Sequence, residues 1–311
     1  MVKLDIHPYI LYYSDMTNIC KLSLCNELLS PHTTFKIGGK ADYFMLPQSV
    51  KELESAFLWA KESNVPFFVL GGGSNLVISD EGFRGLVICT AKLDSIKIKE
   101  SGGKKLLVCG AGCLMNDVVA FCEKNSLSGL ETFSGLPGTT GGACYMNARC
   151  YNRSTDEVLV CAEYFDTQTR KTNMYKMNHS DWDYKKSPFQ NSNKIITQIT
   201  FSVHNGVQSE IKKQNEYYLQ DREKKGHFRY PSAGSVFKNN RDFGEPSGKI
   251  IQDAGLLGYK IGGAMVSDWH GNFIINYKNA TAADVKALVE YVRSVVYEKR
   301  HFLLEPEIIF K

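Results

Sequence analysis

The stretch Gly135-Leu-Pro-Gly-Thr-Thr-Gly-Gly-Ala-Cys-Tyr-Met-Asn-Ala148 carries four glycines and leads directly into an apolar segment. A second stretch, Val69-Leu-Gly-Gly-Gly-Ser-Asn-Leu-Val-Ile78, interrupts an apolar strand with three consecutive glycines. Glycine readily adopts the φ > 0 conformations that direct successive backbone N–H groups at one anion. A single glycine triplet is also compatible with a plain turn, but two such stretches beside apolar runs favour a pair of phosphate cradles.

Neither stretch matches the commoner phosphate-binding motifs. No run reads Gly-x-x-x-x-Gly-Lys-Ser/Thr, and no Gly-x-Gly-x-x-Gly is followed by the acidic residue of a dinucleotide-binding Rossmann fold. An ATPase and a nicotinamide-binding Rossmann domain are therefore disfavoured. A different cofactor with a pyrophosphate, such as a flavin dinucleotide, remains open.

Composition indicates an ordinary globular protein of two or three lobes, with 311 residues of which 43% are hydrophobic and 23% charged. The net charge of +4 and the absence of long Lys/Arg blocks disfavour nucleic-acid or membrane partners. Binding of a small anionic ligand would account for this mild positive charge. Nine scattered cysteines without a Cys-x-x-Cys predict reduced thiols and no metal site. Residues 1–30 do not resemble a signal peptide and no run of about 18 apolar residues exists. We therefore expect a cytoplasmic protein.

Hydrophobic periodicity predicts alternating strands and helices. A strand near residues 43–46, a helix that begins after Ser49 and a strand at residues 66–70 form a βαβ-like unit that ends at the glycine triplet, where open α/β sheets tend to bind ligands. The last helix is expected to begin at Thr281, with Asp284 completing its N-terminal cap. Further predicted strands are 86–90, 105–109, 157–164, 171–175, 194–203, 271–276 and 303–310, and further helices are 116–124, 207–225 and 249–257.

The polar helix at residues 207–225 is the expected boundary of the last lobe. Beyond it, Tyr230-Pro-Ser-Ala-Gly-Ser-Val-Phe-Lys-Asn239 places Ser235 in a turn of small residues. This is not the Gly-x-Ser-x-Gly of a hydrolase, because Phe237 stands where the second glycine is required. From the residues alone, Ser235 is a turn hydroxyl and Glu307 is a carboxylate at the start of the last predicted strand.

Six motifs occur in the same order as in the UDP-N-acetylenolpyruvoylglucosamine reductases, a family that the chain resembles from His32 to Ile309. They are Thr33-Thr-Phe-Lys-Ile-Gly-Gly39, Leu70-Gly-Gly-Gly-Ser-Asn75, Gly138-Thr-Thr-Gly-Gly-Ala143 with Met146-Asn-Ala148, Pro231-Ser-Ala-Gly-Ser-Val-Phe-Lys-Asn239, Gly255-Leu-Leu-Gly-Tyr-Lys-Ile-Gly-Gly-Ala264 and Glu305-Pro-Glu307. The resemblance implies an α+β protein with a vanillyl-alcohol-oxidase-type FAD-binding fold of two α/β subdomains, at residues 1–94 and 95–205, plus a C-terminal α+β substrate domain at residues 206–311.

The same resemblance implies a reaction and a set of site residues. Non-covalent FAD, reduced by NADPH as co-substrate, would reduce UDP-N-acetylglucosamine enolpyruvate to UDP-N-acetylmuramate for bacterial peptidoglycan. Ser235 would donate the proton to C2, and Glu307 would act as an acid beside the substrate carboxylate. The implied cofactor-binding residues are Thr34, Lys36, Gly38, Gly71, Gly72, Gly73, Ser74, Asn75, Pro137, Gly138, Thr139, Gly141 and Gly142.

The chain departs from the family at one expected catalytic position. Where the family has Tyr-Arg-x-Ser, this chain reads Tyr184-Lys-Lys-Ser187, so Lys185 replaces an arginine. Lysine offers a point charge where arginine offers a planar two-pronged fork, so the change is not conservative at a carboxylate site. Either Lys185 suffices, or Arg149, directly after the first glycine-rich stretch, supplies the cation instead.

The spacing between Ser187 and Ser235 leaves no room for the extra tyrosine loop that some members of the family have, so the shorter subtype is expected. The partners would be the UDP-sugar and NADPH, with no nucleic acid or membrane, and we expect a monomer. His270 and Asn276 are interpreted as structural. Two alternatives remain open at this point: a flavin oxidase of the same fold class, and a nucleotide-binding protein without catalysis.

Overall fold

The computed structural model describes residues 23–311. Residues 1–22 lie outside the described residues. They include Cys20 and most of the N-terminal segment that does not resemble a signal peptide. Three larger β-sheets of four, six and four strands follow one another along the described residues, together with two sheets of only two strands each. All the cysteines that the structure describes are free thiols, seven of them buried or half-buried and Cys25 exposed.

The first sheet has the strand order β1-β2-β5-β3. Strands β2 and β3 both run parallel to β5, which lies between them. The predicted strand–helix–strand unit is thus present, with a third strand inserted between its two strands. The elements in this part of the chain are β1 Leu24–Leu28, β2 Lys40–Met45, α1 Val50–Glu62, β3 Phe67–Leu70, β4 Leu76–Val77 and β5 Phe83–Cys89. Strand β4 is not part of the first sheet.

The second sheet is antiparallel, with the order β12-β11-β13-β7-β6 and a short strand β8 beside β13. Helix α2 packs its buried residues into the core under this sheet. The elements are β6 Ile96–Ser101, β7 Lys104–Gly110, α2 Met115–Lys124, β8 Leu127–Ser128, α3 Thr140–Tyr145, β9 Arg149–Cys150, β10 Arg153–Ser154, β11 Leu159–Asp166, β12 Lys171–Lys176, β13 Lys194–Asn205 and α4 Gln208–Lys224.

The third sheet has the order β14-β17-β16-β15 and packs against helix α6. Thr281 caps α6 as predicted, with Asp284 completing the capping box, and the apolar stripe of the helix is buried. The elements are β14 Ser232–Ser235, α5 Ser247–Asp253, β15 Lys260–Ile261, β16 Ala264–Val266, β17 Phe273–Asn276, α6 Ala282–Arg300 and β18 Ile309–Phe310.

The predicted strand at residues 303–310 is wrong for most of its length, because only Ile309–Phe310 form a strand. This strand pairs in parallel with β4, which follows the glycine triplet, and the two form a separate two-stranded sheet. Before it, Pro306 forms an isolated bridge with Phe237. The preceding residues are therefore fixed by contacts with distant parts of the chain, which local periodicity cannot reveal.

The polar helix α4, predicted as a boundary, packs against the second-sheet region. Asn215 Nδ2 donates to Glu123 Oε2 of α2 at 2.8 Å, and Ser134 Oγ donates to the Asn215 carbonyl at 3.0 Å. Arg222 Nε donates to the Ser134 carbonyl at 2.9 Å. The three domain ranges expected from the sequence stay a prediction.

Candidate active site

A cavity of about 1180 Å³ lies where the three sheet regions meet. Residues of the glycine triplet loop form one side, and residues that follow helix α3 form another. The third-sheet region contributes Ser235 and, near the end of the chain, Glu307. A cavity of this size that collects polar groups from several elements is a candidate ligand site.

The two glycine-rich loops touch each other beneath this cavity. A Cβ at Gly72 would lie 2.5 Å from Gly138 Cα, and one at Gly71 would lie 2.8 Å from Thr139 Oγ1. Real Cβ atoms do not approach other heavy atoms so closely, so any side chain at Gly72 would push the loops apart. The glycines are therefore required by the close approach of the two backbones, and not only by turn geometry.

Three backbone N–H groups of the triplet loop have no hydrogen-bond partner among residues 23–311. Among residues 23–311, the backbone N–H groups of Gly72, Ser74 and Asn75 donate to no other backbone group, and all three residues line the cavity. Unpaired N–H groups beside a large cavity suit the oxygens of a pyrophosphate. The residues present therefore fit a dinucleotide cofactor such as FAD.

The structure brings most of the expected cofactor-binding residues to the cavity, but not all of them. Those on its surface are Thr34, Lys36, Gly71, Gly72, Ser74, Asn75, Pro137 and Gly142. Those beneath or away from its surface are Gly38, Gly73, Gly138, Thr139 and Gly141. Thr139 accepts from the Gly142 N–H as the N-cap of α3, and Gly38 instead borders a second, shallower depression. Thr139 thus stabilises the loop as a helix cap and does not line the cavity.

Lys185 and Glu307 form an ion pair at the cavity, with 2.7 Å between Nζ and Oε1. Their side chains are only 13% and 10% exposed, so the contact is poorly screened by solvent. Removing one partner of such a pair leaves the other charge buried and uncompensated. The half-buried Ser235 lines the same cavity.

Backbone contacts explain why Glu307 and Ser235 share this cavity. The Glu307 N–H donates to the Val236 carbonyl at 2.7 Å, one residue beyond Ser235. The Lys238 N–H donates to the Glu305 carbonyl at 2.9 Å. The segment around Glu307 thus runs alongside the serine turn, although it does not form the strand that the sequence predicts.

Arg149, the alternative cation, has other partners. Its guanidinium lies 3.6 Å from Glu157 Oε1 and donates to the Asn152 carbonyl at 3.3 Å. It lines the cavity but is exposed. Lys185, and not Arg149, is the cation paired with Glu307 in this structure.

The cavity also contains residues that the sequence analysis did not assign to a site. Tyr151 donates to Asp221 Oδ2 at 2.9 Å, and its ring lies 5.6 Å from the Arg222 guanidinium. Burial, assisted by the charge of Arg222, lowers the pKa of His227 to about 4. Burial also lowers the pKa of His270 and raises that of the Cys150 thiol, and all of these residues line the cavity. Asp221 and Arg222 lie on α4, whose polar sequence marks neither of them, and no motif marks the other residues, which lie outside this helix.

Among residues 23–311, no group of three or more His, Cys, Asp or Glu side chains could hold a metal ion. Within the same residues, no helix is long and apolar enough to cross a membrane.

Comparison with known proteins identifies the family. Residues 226–311 match the family model described as the C-terminal domain of UDP-N-acetylenolpyruvoylglucosamine reductase, and residues 41–168 match an FAD binding domain. The reductase of Treponema denticola is 46% identical over 294 residues, which cover 91% of each chain. The chain belongs to the UDP-N-acetylenolpyruvoylglucosamine reductase family.

Further relatives agree with this assignment. The reductase of Borreliella burgdorferi is 42% identical over 286 residues, covering 91% of this chain and 92% of the relative. The crystal structure of the reductase from Thermus caldophilus matches with a TM-score of 0.76 and 31% identity, covering 91% of this chain and 97% of that one.

Membership confirms several expectations at once. The FAD-binding fold of the vanillyl-alcohol-oxidase type and the C-terminal domain of the reductase family are confirmed by the two family models and the Thermus structure. The chain is an FAD-containing oxidoreductase of peptidoglycan synthesis with NADPH as co-substrate, as the sequence predicts.

Proposed function

We propose that Lys185, Glu307 and Ser235 form the reacting end of this reductase, which converts the enolpyruvyl group of UDP-N-acetylglucosamine enolpyruvate to the lactyl ether of UDP-N-acetylmuramate. The observation that carries the proposal is the buried 2.7 Å ion pair between Lys185 and Glu307 in the cavity that Ser235 also lines. A cation, an acid and a hydroxyl are the groups that this chemistry requires.

The two glycine-rich loops would hold the cofactor. The unpaired N–H groups of Gly72, Ser74 and Asn75 are suited to its pyrophosphate, and Thr34, Lys36, Pro137 and Gly142 line the same cavity. Gly38, Gly73, Gly138, Thr139 and Gly141 would support the loops rather than touch the cofactor. When bound, FAD supplies hydride transfer.

Reduction at C3 of the enolpyruvyl group leaves negative charge spread over C2 and the carboxylate. The Lys185 ammonium is placed to stabilise this charge in a site where solvent screening is weak. The Ser235 hydroxyl then donates its proton to C2 and completes the reduction.

Glu307 has two tasks in this proposal. Without substrate, its carboxylate accepts the Lys185 ammonium and holds it at the cavity. When the substrate carboxylate enters, it shares this ammonium, and the Glu307 carboxyl group lies beside it as the acid of the site.

The test is anaerobic. The yellow protein is reduced with NADPH, UDP-N-acetylglucosamine enolpyruvate is added, and flavin absorbance is followed. Rapid reoxidation with formation of UDP-N-acetylmuramate is expected. Ser235→Ala should retain flavin reduction but lose reoxidation, and Ser180→Ala, at an exposed serine outside the cavity, is the matched control. A wild-type flavin that stays reduced until air is admitted would support an oxidase and overturn the proposal.

We also propose that the protein works as a monomer of the shorter subtype, in the cytoplasm. Only β13, α4 and short connections lie between Ser187 and Ser235, which is consistent with the shorter subtype. NADPH and a nucleotide sugar are cytoplasmic substrates. Sedimentation of the holoenzyme at one chain mass is the expected result.

A further inference from the structure

The turn that carries Lys185 has an unfavourable backbone conformation for lysine. Asp183 and Lys186 exchange backbone hydrogen bonds of 3.3 and 2.9 Å across the two residues Tyr184 and Lys185. Lys185 has φ +59° at the third position of this turn. Glycine or asparagine is preferred there, and a longer side chain costs on the order of 1 kcal/mol. Such a conformation persists only where neighbouring groups hold it.

The end of the flavin-loop helix α3 holds this turn. Asn147 Nδ2 donates to the Asp183 carbonyl at 3.0 Å, and Ser187 Oγ donates to the Tyr145 carbonyl at 2.6 Å. These two contacts attach both ends of the turn, on either side of Lys185. They leave the Lys185 carbonyl itself to be fixed by another group.

Gln190 supplies that contact. Its Nε2 donates to the Lys185 carbonyl at 3.1 Å and lies 3.8 Å from the Met146 sulfur. A side-chain amide has two N–H hydrogens, so both have an acceptor in this arrangement.

Asn75 makes an equivalent pair of contacts that includes the same sulfur. Its Nδ2 donates to the Glu307 carbonyl at 3.0 Å and lies 3.6 Å from Met146 Sδ. One amide therefore fixes the backbone of Lys185 and the other fixes the backbone of Glu307. The Met146 sulfur contacts both amides, and so it links the groups that fix Lys185 and Glu307, the two residues of the ion pair.

We propose that Gln190 is a positioning residue that, through Met146 and Asn75, sets the placement of Lys185 against Glu307. This inference rests on the proposed function of the ion pair. The need for a positioning residue arises because this position holds a lysine. The planar guanidinium of an arginine aligns with a carboxylate through two hydrogen bonds, whereas the ammonium of a lysine, on a flexible four-carbon chain, has no such preferred orientation. A lysine at this position needs its backbone held more firmly.

The test compares Gln190→Leu and Gln190→Glu with a matched control. Leucine removes both donors, and glutamate keeps the side-chain length but cannot donate when ionised. Gln168→Leu is the control, because Gln168 is an exposed glutamine with an amide contact to Asn193, outside the cavity. Thermal unfolding shows whether each variant folds.

The expected result separates the two half-reactions. Reduction of the flavin by NADPH should stay within about twofold of wild type in every variant. Reoxidation by the enolpyruvyl substrate should slow by about tenfold to a hundredfold in both Gln190 variants, because misplacement of a binding group by about 1 Å has effects of this size. Gln168→Leu should behave as wild type.

A double-mutant cycle distinguishes positioning from general destabilisation. If Gln190 acts through Lys185, then Gln190→Leu should add no further loss in a Lys185→Ala background. An equal loss in both backgrounds would overturn the inference.

The affinity for UDP-N-acetylmuramate, titrated into the oxidised enzyme, provides a second readout that does not depend on turnover. It should weaken in Gln190→Leu and in Met146→Leu, and unchanged affinity together with unchanged reoxidation would refute the positioning role. Failure of wild-type reoxidation would instead overturn the proposed function, so the two failures are distinguishable.

Discussion

At the scale of single residues, Lys185 stands where the family pattern Tyr-Arg-x-Ser has an arginine. The ammonium contacts Glu307 at 2.7 Å, whereas Arg149 contacts Glu157. In this structure the cation beside Glu307 is therefore Lys185, and in the proposed function it is the cation that meets the substrate carboxylate.

Substitution of Lys185 tests this assignment. Lys185→Ala should slow reoxidation by the substrate at least a hundredfold, because removing one group that stabilises charge in the transition state costs about a hundredfold to a thousandfold in rate. Lys186→Ala is the matched control, since Lys186 is exposed and pairs only with Asp183 on the surface. Arg149→Ala should also have little effect, and the opposite ranking of Lys185 and Arg149 would show that the cation had relocated after all.

His227 predicts a pH dependence of stability. Burial lowers its pKa to about 4 from an ordinary value of 6.5, with Arg222, Lys225 and His270 opposing its charge and Asp221 favouring it. Between those two pH values the unfolded chain binds a proton that the folded chain does not, so stability falls as the pH is lowered through this range.

Urea unfolding at pH 7.5 and pH 5 measures this effect. His227→Phe, which keeps a ring beside Phe273, should lose less stability than wild type between the two pH values. The pKa of His270 is also lowered, so some dependence remains in the variant. Identical losses in both proteins would contradict the assignment.

At the scale of secondary structure elements, helix α6 is capped from two parts of the chain. Thr281 Oγ1 accepts from the Asp284 N–H at 3.0 Å, as its sequence predicts. The two preceding N–H groups, of Ala282 and Ala283, donate to Asp80 at 2.8 and 3.1 Å. Asp80 follows β4 of the first-sheet region, so this cap also joins that region to the substrate domain.

Asp80→Ala should therefore destabilise the protein by about 1 kcal/mol, the usual loss on removing an N-cap acceptor. Asp80→Asn keeps one acceptor oxygen and should cost less. Glu81→Ala, next to it in an exposed position, is the control and should leave the urea midpoint unchanged. Equal midpoints for Asp80→Ala and Glu81→Ala would show that the cap contributes nothing.

At the scale of the whole molecule, what the sequence predicts well is local. The bounds of α6 follow from Thr281 and an apolar stripe, and the glycine loops follow from backbone freedom that only glycine has. The path of the segment around Glu307 was missed, since it depends on contacts with Val236 and Phe237 about seventy residues earlier. The burial of Arg222 was not predicted, because the sequence of the polar helix α4 does not distinguish this cation from the exposed lysines of the same helix.

The roles of Ser235, Glu307 and Lys185 came from the family resemblance and not from periodicity. These three residues are brought together only by tertiary structure. The ion pair, for example, connects a turn after β12 with the segment before β18. No spacing rule connects these positions, so residue patterns alone left Ser235 and Glu307 as a turn hydroxyl and a strand end.

The pairing of β18 with β4 gives the chain a particular order of maturation on the ribosome. Asn75, on the flavin side, donates to the Glu307 carbonyl across 232 residues of sequence. Both glycine loops are synthesised long before Glu307, and domains form from the N-terminus onward during translation. A nascent chain can therefore assemble its loops, yet it holds Lys185 without its acid until Glu307 has been synthesised. Synthesis of Glu307, and not cofactor supply alone, sets the moment at which the reacting end is assembled.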